Sequence, residues 1–163
     1  MALGGSDDVR EYSEYTVGDV MSTPLFKALP TMKVKEAARE MLMRKIGSVV
    51  VVNDNGSLIG IVTRTDIIRA VVVNGGDPEV LTLGDIMTRN PYYVLTDDPL
   101  ARAAELMGTY GVGHLPVLDP ENLKPVGMIS LRDIVRHAPE YIRLIEGLKM
   151  EIERRERLAG GSE

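Results

Sequence analysis

The chain contains no cysteine and no tryptophan, a single phenylalanine and only two histidines. Without cysteine there is no disulfide, no thiolate metal site and no thiol nucleophile. A reducing, cytoplasmic setting is the expected one. An excess of positive charge is also missing: 19 Lys and Arg stand against 24 Asp and Glu, for a net charge of −5 over 163 residues. A nucleic-acid surface needs the reverse balance, so no nucleic-acid partner is expected, although arginines local to a pocket can hold a small phosphate. Long apolar runs are absent too. Ser48–Val52 and residues 70–73 are among the longest and are far too short to span a bilayer, so no membrane partner is expected. Residues 1–10 are rich in Gly, Ser and Asp and lack the charged-then-apolar order of a signal peptide.

Catalytic signatures are missing as well. The sequence has no His-Glu-x-x-His, Gly-x-Ser-x-Gly, Walker loop or Rossmann glycine fingerprint. His114 and His137 fall at unrelated positions, and Gly111-Val112-Gly113 reads as a tight chain reversal between a helix and a strand. These absences point to a binding module rather than an enzyme.

What is present is a duplication. Val17-Gly18-Asp19-Val20-Met21-Ser22 returns as Leu83-Gly84-Asp85-Ile86-Met87-Thr88, 66 positions later. At the same shift Val34, Ala37, Ala38 and Met41 match Leu100, Ala103, Ala104 and Met107, Gly47 matches Gly113, and Val51 matches Val117. After one inserted residue, Gly60-Ile61-Val62-Thr63 pairs with Gly127-Met128-Ile129-Ser130, and Asp66-Ile67-Ile68 with Asp133-Ile134-Val135. Chance would not keep that order over both halves.

Each half predicts the same elements. Val34, Ala37, Ala38 and Met41 occupy one face of an amphipathic helix. Ser48–Val52 and residues 58–62 are short β runs joined by the turn signal Asn53-Asp54-Asn55-Gly56, which predicts a hairpin. A helix over residues 63–73 follows, and a short strand near residues 26–29 precedes the first helix. The second half repeats this over 92–95, 99–110, 115–118, 126–129 and Leu131–His137. The fold class is therefore α/β: two β-α-β-β-α repeats over residues 15–76 and 77–138, expected to pack through their sheets about a pseudo-two-fold axis. About 60 residues are too few to bury a large core alone. A polar segment, residues 1–14, precedes the repeats. Residues 139–163 form a C-terminal amphipathic helix and tail, with Tyr141, Ile145, Leu148 and Ile152 as its apolar seam. That helix either packs on its own chain or helps to join two chains.

The most informative positions close each hairpin: Thr63-Arg64-Thr65-Asp66 and Ser130-Leu131-Arg132-Asp133. Hydroxyl-x-x-acid at a helix start is a capping box. Asp is shorter than the Glu or Gln usual at the acid position, which argues for a further role. Gly60 and Gly127, three residues before the hydroxyls, suggest a cleft that a side chain would obstruct. A helix N-terminus attracts phosphate, and an ionised Asp suits the two adjacent hydroxyls of a ribose. Together these describe a nucleoside phosphate site.

The Gly-Asp-Val-Met opening, the Ala-Ala-x-x-Met helix, the strand Gly113-His114-Leu115-Pro116-Val117-Leu118-Asp119 and the Gly-h-h-[Ser/Thr]-x-x-Asp ending resemble a tandem CBS-domain pair, or Bateman module, over residues 15–137. The resemblance implies an adenosyl ligand (AMP, ADP, ATP or S-adenosylmethionine) in one or two clefts between the repeats. It also implies regulation of an as yet unknown protein target and association into disc-shaped homodimers. On the matching positions, it makes Asp66 and Asp133 the ribose-binding carboxylates and Thr63 and Ser130 the hydroxyls near phosphate. Leu115 and Pro116, with their neighbour Gly113, match the strand that edges adenine, and Val49 and Val50 match it in the first copy. Leu25 and Tyr92 match the strand that backs the base. His114 stands where a phosphate-contacting basic residue often lies, or is a surface His at a strand start, and Ser48 replaces it in the first copy. Arg64 and Arg132 supply positive charge or are simply solvated. Val50 against Pro116 and Ser48 against His114 make the two clefts unequal; if only one fills, it is expected to be the one centred on Asp133 or its neighbour across the pseudo-axis. The competing reading is a ligand-free adaptor that dimerises and docks on a partner protein.

Overall fold

The computed structural model describes residues 15–160; residues 1–14, expected to be a polar segment, and 161–163 lie outside them. In chain order the elements are α1 (Val17–Val20), β1 (Lys27–Ala28), α2 (Val34–Arg44), β2 (Ser48–Val52), β3 (Leu58–Thr63), α3 (Arg64–Ile67), α4 (Leu83–Ile86), β4 (Thr88–Arg89), β5 (Val94–Leu95), α5 (Leu100–Tyr110), β6 (His114–Leu118), β7 (Pro125–Ser130), α6 (Leu131–His137) and α7 (Tyr141–Gly160). The protein is mixed α/β, with one sheet in the order β1-β2-β3-β4 and another in the order β5-β6-β7. No helix among the described residues is long and apolar enough to cross a membrane.

Local chemistry accounts for most of these elements. Every residue of β2 is buried, and its four valines favour the extended backbone. Asn53 then organises the hairpin turn, its Oδ1 accepting from the N–H groups of Asn55 (3.0 Å) and Ser57 (2.9 Å). The resulting antiparallel register places Val50 opposite Ile61 and Val51 opposite Gly60. β1 joins β2 in parallel, as β5 joins β6. α5 buries Leu100, Ala103, Ala104 and Met107, the stripe expected from their spacing, and α2 buries Val34, Ala37 and Met41 of its own, with Ala38 half-buried. α5 stops at Gly111, whose left-handed backbone (φ 65°) carries no Cβ penalty.

One element departs from expectation. Residues 63–73 were expected as a single α-helix, but α3 makes only one turn before Ile68–Val73 widens into a π-helix. That wider winding closes with Asn74 N–H donating to the Arg69 carbonyl five residues back, at 2.9 Å. Five of residues 67–73 are β-branched, and such side chains crowd the tighter α turn.

The chain divides into two compact units. The C-terminal unit contains the described residues up to Thr23, Tyr92–Pro120 and the chain from Gly127; the N-terminal unit contains Pro24–Pro91 and Glu121–Val126. Packing units and sequence repeats therefore do not coincide: α1, from the first repeat, packs in the C-terminal unit, and α4, from the second, packs in the N-terminal unit. The N-terminal unit's core holds Phe26, Ala28, Ala37, Met41, Val49, Val51, Val62 and Leu83. Leu100, Met107, Leu115, Ile129, Ile134 and Tyr141 are fully buried in the other. Each such Val, Leu or Ile contributes about 1.5–3 kcal/mol over an exposed one.

α7 packs on α5 and α6 of its own chain. Of its predicted seam, Tyr141 and Ile145 are fully enclosed and Leu148 and Ile152 half-buried, while Met150 and Leu158 face solvent. Gly108 permits the close approach, since a Cβ there would lie 2.8 Å from Leu148 Cβ and 3.2 Å from the Ile145 carbonyl. Gly108→Ala should therefore cost about 1–3 kcal/mol through overpacking. Gly147→Ala, with nothing near its added Cβ, should instead stabilise by about 0.4–1 kcal/mol. Thermal unfolding of the two variants checks the opposite signs.

Candidate functional site

The two Gly-Asp-h-Met openings are built identically. Each begins with a hydroxyl N-cap: Thr16 N–H donates to Asp19 Oδ2 and Thr82 N–H to Asp85 Oδ2, both at 2.9 Å. Val17 and Gly18 donate to the carbonyls of Asp98 and Thr96; Leu83 and Gly84 donate to those of Met32 and Pro30. The chain then runs beside a hairpin. Ser22 and Met128 exchange both backbone hydrogen bonds (2.8 and 3.2 Å), and Thr88 in β4 pairs with Ile61 in β3. In the C-terminal unit Met21 lies over Gly127, where a Cβ would come within 2.6 Å of the sulfur; in the N-terminal unit Met87 lies over Gly60 in the same way. The hairpin glycines thus make room for a methionine from the opposite repeat. This corrects the reading that they keep a cleft clear.

Beyond each glycine stands the expected hydroxyl-aspartate pair, and both pairs are complete capping boxes. Asp66 Oδ2 accepts from Thr63 N–H (2.8 Å) and Thr63 Oγ1 (3.1 Å). Asp133 Oδ2 accepts from Ser130 N–H (2.9 Å) and Ser130 Oγ (3.0 Å). The shorter aspartate side chain, expected to be less suited to this role than Glu or Gln, does reach back. The extended N-cap backbone brings its N–H to the carboxylate, as it also does at Asp19 and Asp85. The consequence is a division of labour between oxygens. Oδ2 of each aspartate is held by the cap, and Oδ1 is left to other partners. Asp133 Oδ1 accepts from Ser22 Oγ at 2.9 Å; Asp66 Oδ1 lies 3.5 Å from Arg69 Nη1. Each carboxylate is half-buried and held in orientation by its cap.

The remaining sequence-predicted residues divide between the two units. Ser48 pairs with Thr63 across the hairpin, and Arg64 N–H donates to the Gly47 carbonyl, so Ser48, Thr63, Arg64 and Asp66 converge at one end of β2 and β3. In the other unit Leu131 N–H donates to the Gly113 carbonyl, which brings Gly113 and the start of β6 beside Ser130 and Asp133. His114 is half-buried there, and Arg64 and Arg132 are both exposed. Val49, Val50, Leu115 and Pro116 are buried within their strands.

The strand register also refines the equivalence of the base-backing positions. Ala28 faces Val51 as Val94 faces Val117, which makes Phe26, rather than the half-buried Leu25, the counterpart of Tyr92. Phe26 lies under the Arg44 guanidinium (4.4 Å), while Tyr92 stacks on Tyr110, the counterpart of Arg44, at 4.0 Å. Val50 N–H donates to the Phe26 carbonyl at 3.1 Å. Pro116, at the matching position, has no N–H to offer Tyr92. The pairing of Ser22 and Thr88 with the hairpins was not foreseen, although the repeated motif carrying both residues was.

Comparison with known proteins places these features in a family. The family model described as CBS domain matches residues 17–73 and again 83–140. An uncharacterised protein of Methanopyrus kandleri is 34% identical over 131 residues, covering 80% of this chain; the chain spans 66% of that protein, just under two thirds. The crystal structure of the CBS domain pair of protein MJ0100 in complex with 5′-methylthioadenosine and S-adenosyl-L-methionine is similar at 31% identity and a TM-score of 0.68, covering 75% of this chain and 94% of that one. CBSX2 in complex with AMP matches at 27% identity and a TM-score of 0.68, covering 77% and 97%.

The caps carry a pH dependence. The Asp19 carboxyl is held below the usual carboxylate range by the Thr16 N–H and then the Thr16 hydroxyl, and Asp85 likewise by Thr82. A carboxyl with a lowered folded-state pKa stabilises above its unfolded value, and that contribution is lost as pH falls through the folded value. Urea midpoints should therefore drop from about pH 5 downwards. Asp19→Asn and Asp85→Asn should each flatten that drop, a change read directly by titrating the midpoint against pH.

Proposed function

The chain belongs to the CBS-domain family, and on that premise we propose that it is a regulatory module that binds an adenosyl nucleotide and passes the signal to a protein partner. The observation that carries the reading is the oriented carboxylate. With Oδ2 held in the cap, Asp133 presents Oδ1 to a hydroxyl, and Ser22 Oγ already stands 2.9 Å from it. A ribose hydroxyl offers the same donor, and charge-assisted hydrogen bonds of this kind are the stronger ones. The exposed Arg132 supplies positive charge at the helix start beside it. A base edge can use the Tyr92 carbonyl, which Pro116 does not engage. Ser22 comes from the first repeat and Asp133 from the second, so a ligand here touches both copies.

Complexes of related CBS proteins with AMP and with S-adenosylmethionine support an adenosyl ligand. AMP, ADP or ATP is the first reading. S-adenosylmethionine is the second, because the pair at 31% identity holds it. The two sites are unequal, and the one at Asp133 is the stronger candidate: Asp66 has an arginine beside its Oδ1 and Val50 N–H already bonded. A ligand shifts a protein only through its differential affinity for two states, so the signal requires tighter binding to one arrangement than to the other.

Calorimetry with AMP, ATP and S-adenosylmethionine tests this. The wild type should bind at least one of them, and Asp133→Asn should weaken binding about tenfold or more, as expected for losing a hydrogen bond to a charged group worth about 1.5–3 kcal/mol. Ser130→Ala should lower stability by about 1 kcal/mol through the lost cap. Heat with none of the three ligands sinks the nucleotide reading in favour of the adaptor.

A further inference from the structure

The chain has six tyrosines and one phenylalanine, and two of those tyrosines stand together at the surface. Tyr92, which leads into β5, and Tyr110, the last residue of α5, stack with ring centroids 4.0 Å apart and planes 16° from parallel. Each gives one face to the other, yet Tyr92 is still 47% exposed and Tyr110 51%. The exposure that remains lies on the outer faces and hydroxyl edges of the pair. Rings in contact leave no room for a third between them, so a further flat ring can be added only on the outside.

The first repeat closes the same place. Phe26 is 7% exposed, and the Arg44 guanidinium covers its ring at 4.4 Å. Arg44 is in turn tied to Glu40 at 3.1 Å. Exchanging Phe26 and Arg44 for two tyrosines therefore replaces a capped ring by an open, flat, electron-rich platform. Burial does not account for the pair, because about half of each residue stays in water.

The platform stands at the end of the sheet that carries the Asp133 site. Val94 faces Val117, so Tyr92 lies at the level of Leu115, near the start of β6. Leu131 N–H donates to the Gly113 carbonyl, which brings Ser130 and Asp133 to that same end. β6 separates β5 from β7, so the strands that lead to Tyr92 and to Ser130 are two strand spacings, about 10 Å, apart. A nucleoside spans such a gap, with its base at one end and its ribose hydroxyls at the other.

Resting on the adenosyl reading of this site, we propose that the Tyr92–Tyr110 pair is the platform on which the base stacks, with Tyr92 against the base and Tyr110 as the positioning residue behind it. Tyr110 holds the Tyr92 ring in one plane, and stacking on a held ring sacrifices less rotamer freedom than stacking on a free one. The N-terminal unit, with Phe26 capped by Arg44, has no such platform.

The test uses the full chain and, as probe, the tightest-binding of AMP, ATP and S-adenosylmethionine, all of which carry adenine. Calorimetry should show Tyr110→Ala weakening the probe by about fivefold or more, within the range for removing an aromatic ring that supports a base. Tyr110→Phe keeps the ring and should stay within about twofold of the wild type. Tyr93→Ala, which removes an exposed neighbouring ring outside the pair, should do the same. NMR of protein labelled in its tyrosine rings gives a readout that a packing role would not move. On saturation the Tyr92 ring resonances should shift upfield, the ring-current signature of a base over their face. An affinity unchanged by Tyr110→Ala, or no upfield shift, overturns the platform; weakening by Asp133→Asn in the same series leaves the nucleotide reading standing. A wild type that binds none of the three probes overturns both.

Discussion

Met21 over Gly127 and Met87 over Gly60 are the contacts on which the rest of the architecture turns. A methionine can fill the space above a strand only if that strand has no side chain there, and each repeat supplies the glycine that the other repeat's methionine needs. Once seated, the backbone on either side has its hydrogen bonds decided: α1 and α4 donate to the loop before a helix, and the following residues run along a hairpin. An opening segment displaced from its glycine would leave these N–H groups without acceptors inside a packed unit, a cost of about 1–3 kcal/mol for each one buried. The reciprocal arrangement makes each unit depend on both halves of the chain.

The same contacts position the candidate site. Seating Met21 brings Ser22 alongside Met128, close enough for its hydroxyl to reach the Asp133 carboxylate. Capping holds the other oxygen of that carboxylate. A group serving the stability of a helix start and the orientation of a polar site at once is economical, because the cap removes rotamer freedom that a ligand would otherwise have to restrict. Structure and binding are therefore not competing explanations of the hydroxyl-x-x-Asp motif.

Differences between the units come from a few substitutions on a common plan. Phe26 with Arg44 becomes Tyr92 with Tyr110, so a cation over a ring is replaced by two stacked rings at the same place. Val50 becomes Pro116 and removes a backbone donor. Leu42 becomes Gly108 and turns a projecting side chain into the seat for α7. The repeats thus keep their strands and diverge at the edges of the sites and on the outer helical faces.

Much of this was legible in the residues. The duplication shows as a repeat at a constant shift, and the stripes of α2 and α5, the Asn-Asp-Asn-Gly hairpin and the capping boxes Thr63/Asp66 and Ser130/Asp133 follow from local periodicity and turn chemistry, which act over a few residues. The π-helix was not legible, because crowding of β-branched side chains selects between windings that share one apolar pattern. The pairing of each opening segment with the other repeat's hairpin and the Ser22–Asp133 hydrogen bond were decided only by tertiary structure. Ser22 and Asp133 are 111 residues apart, and no local pattern specifies which of two nearly identical hairpins a segment will join. That choice belongs to the packing of the whole chain.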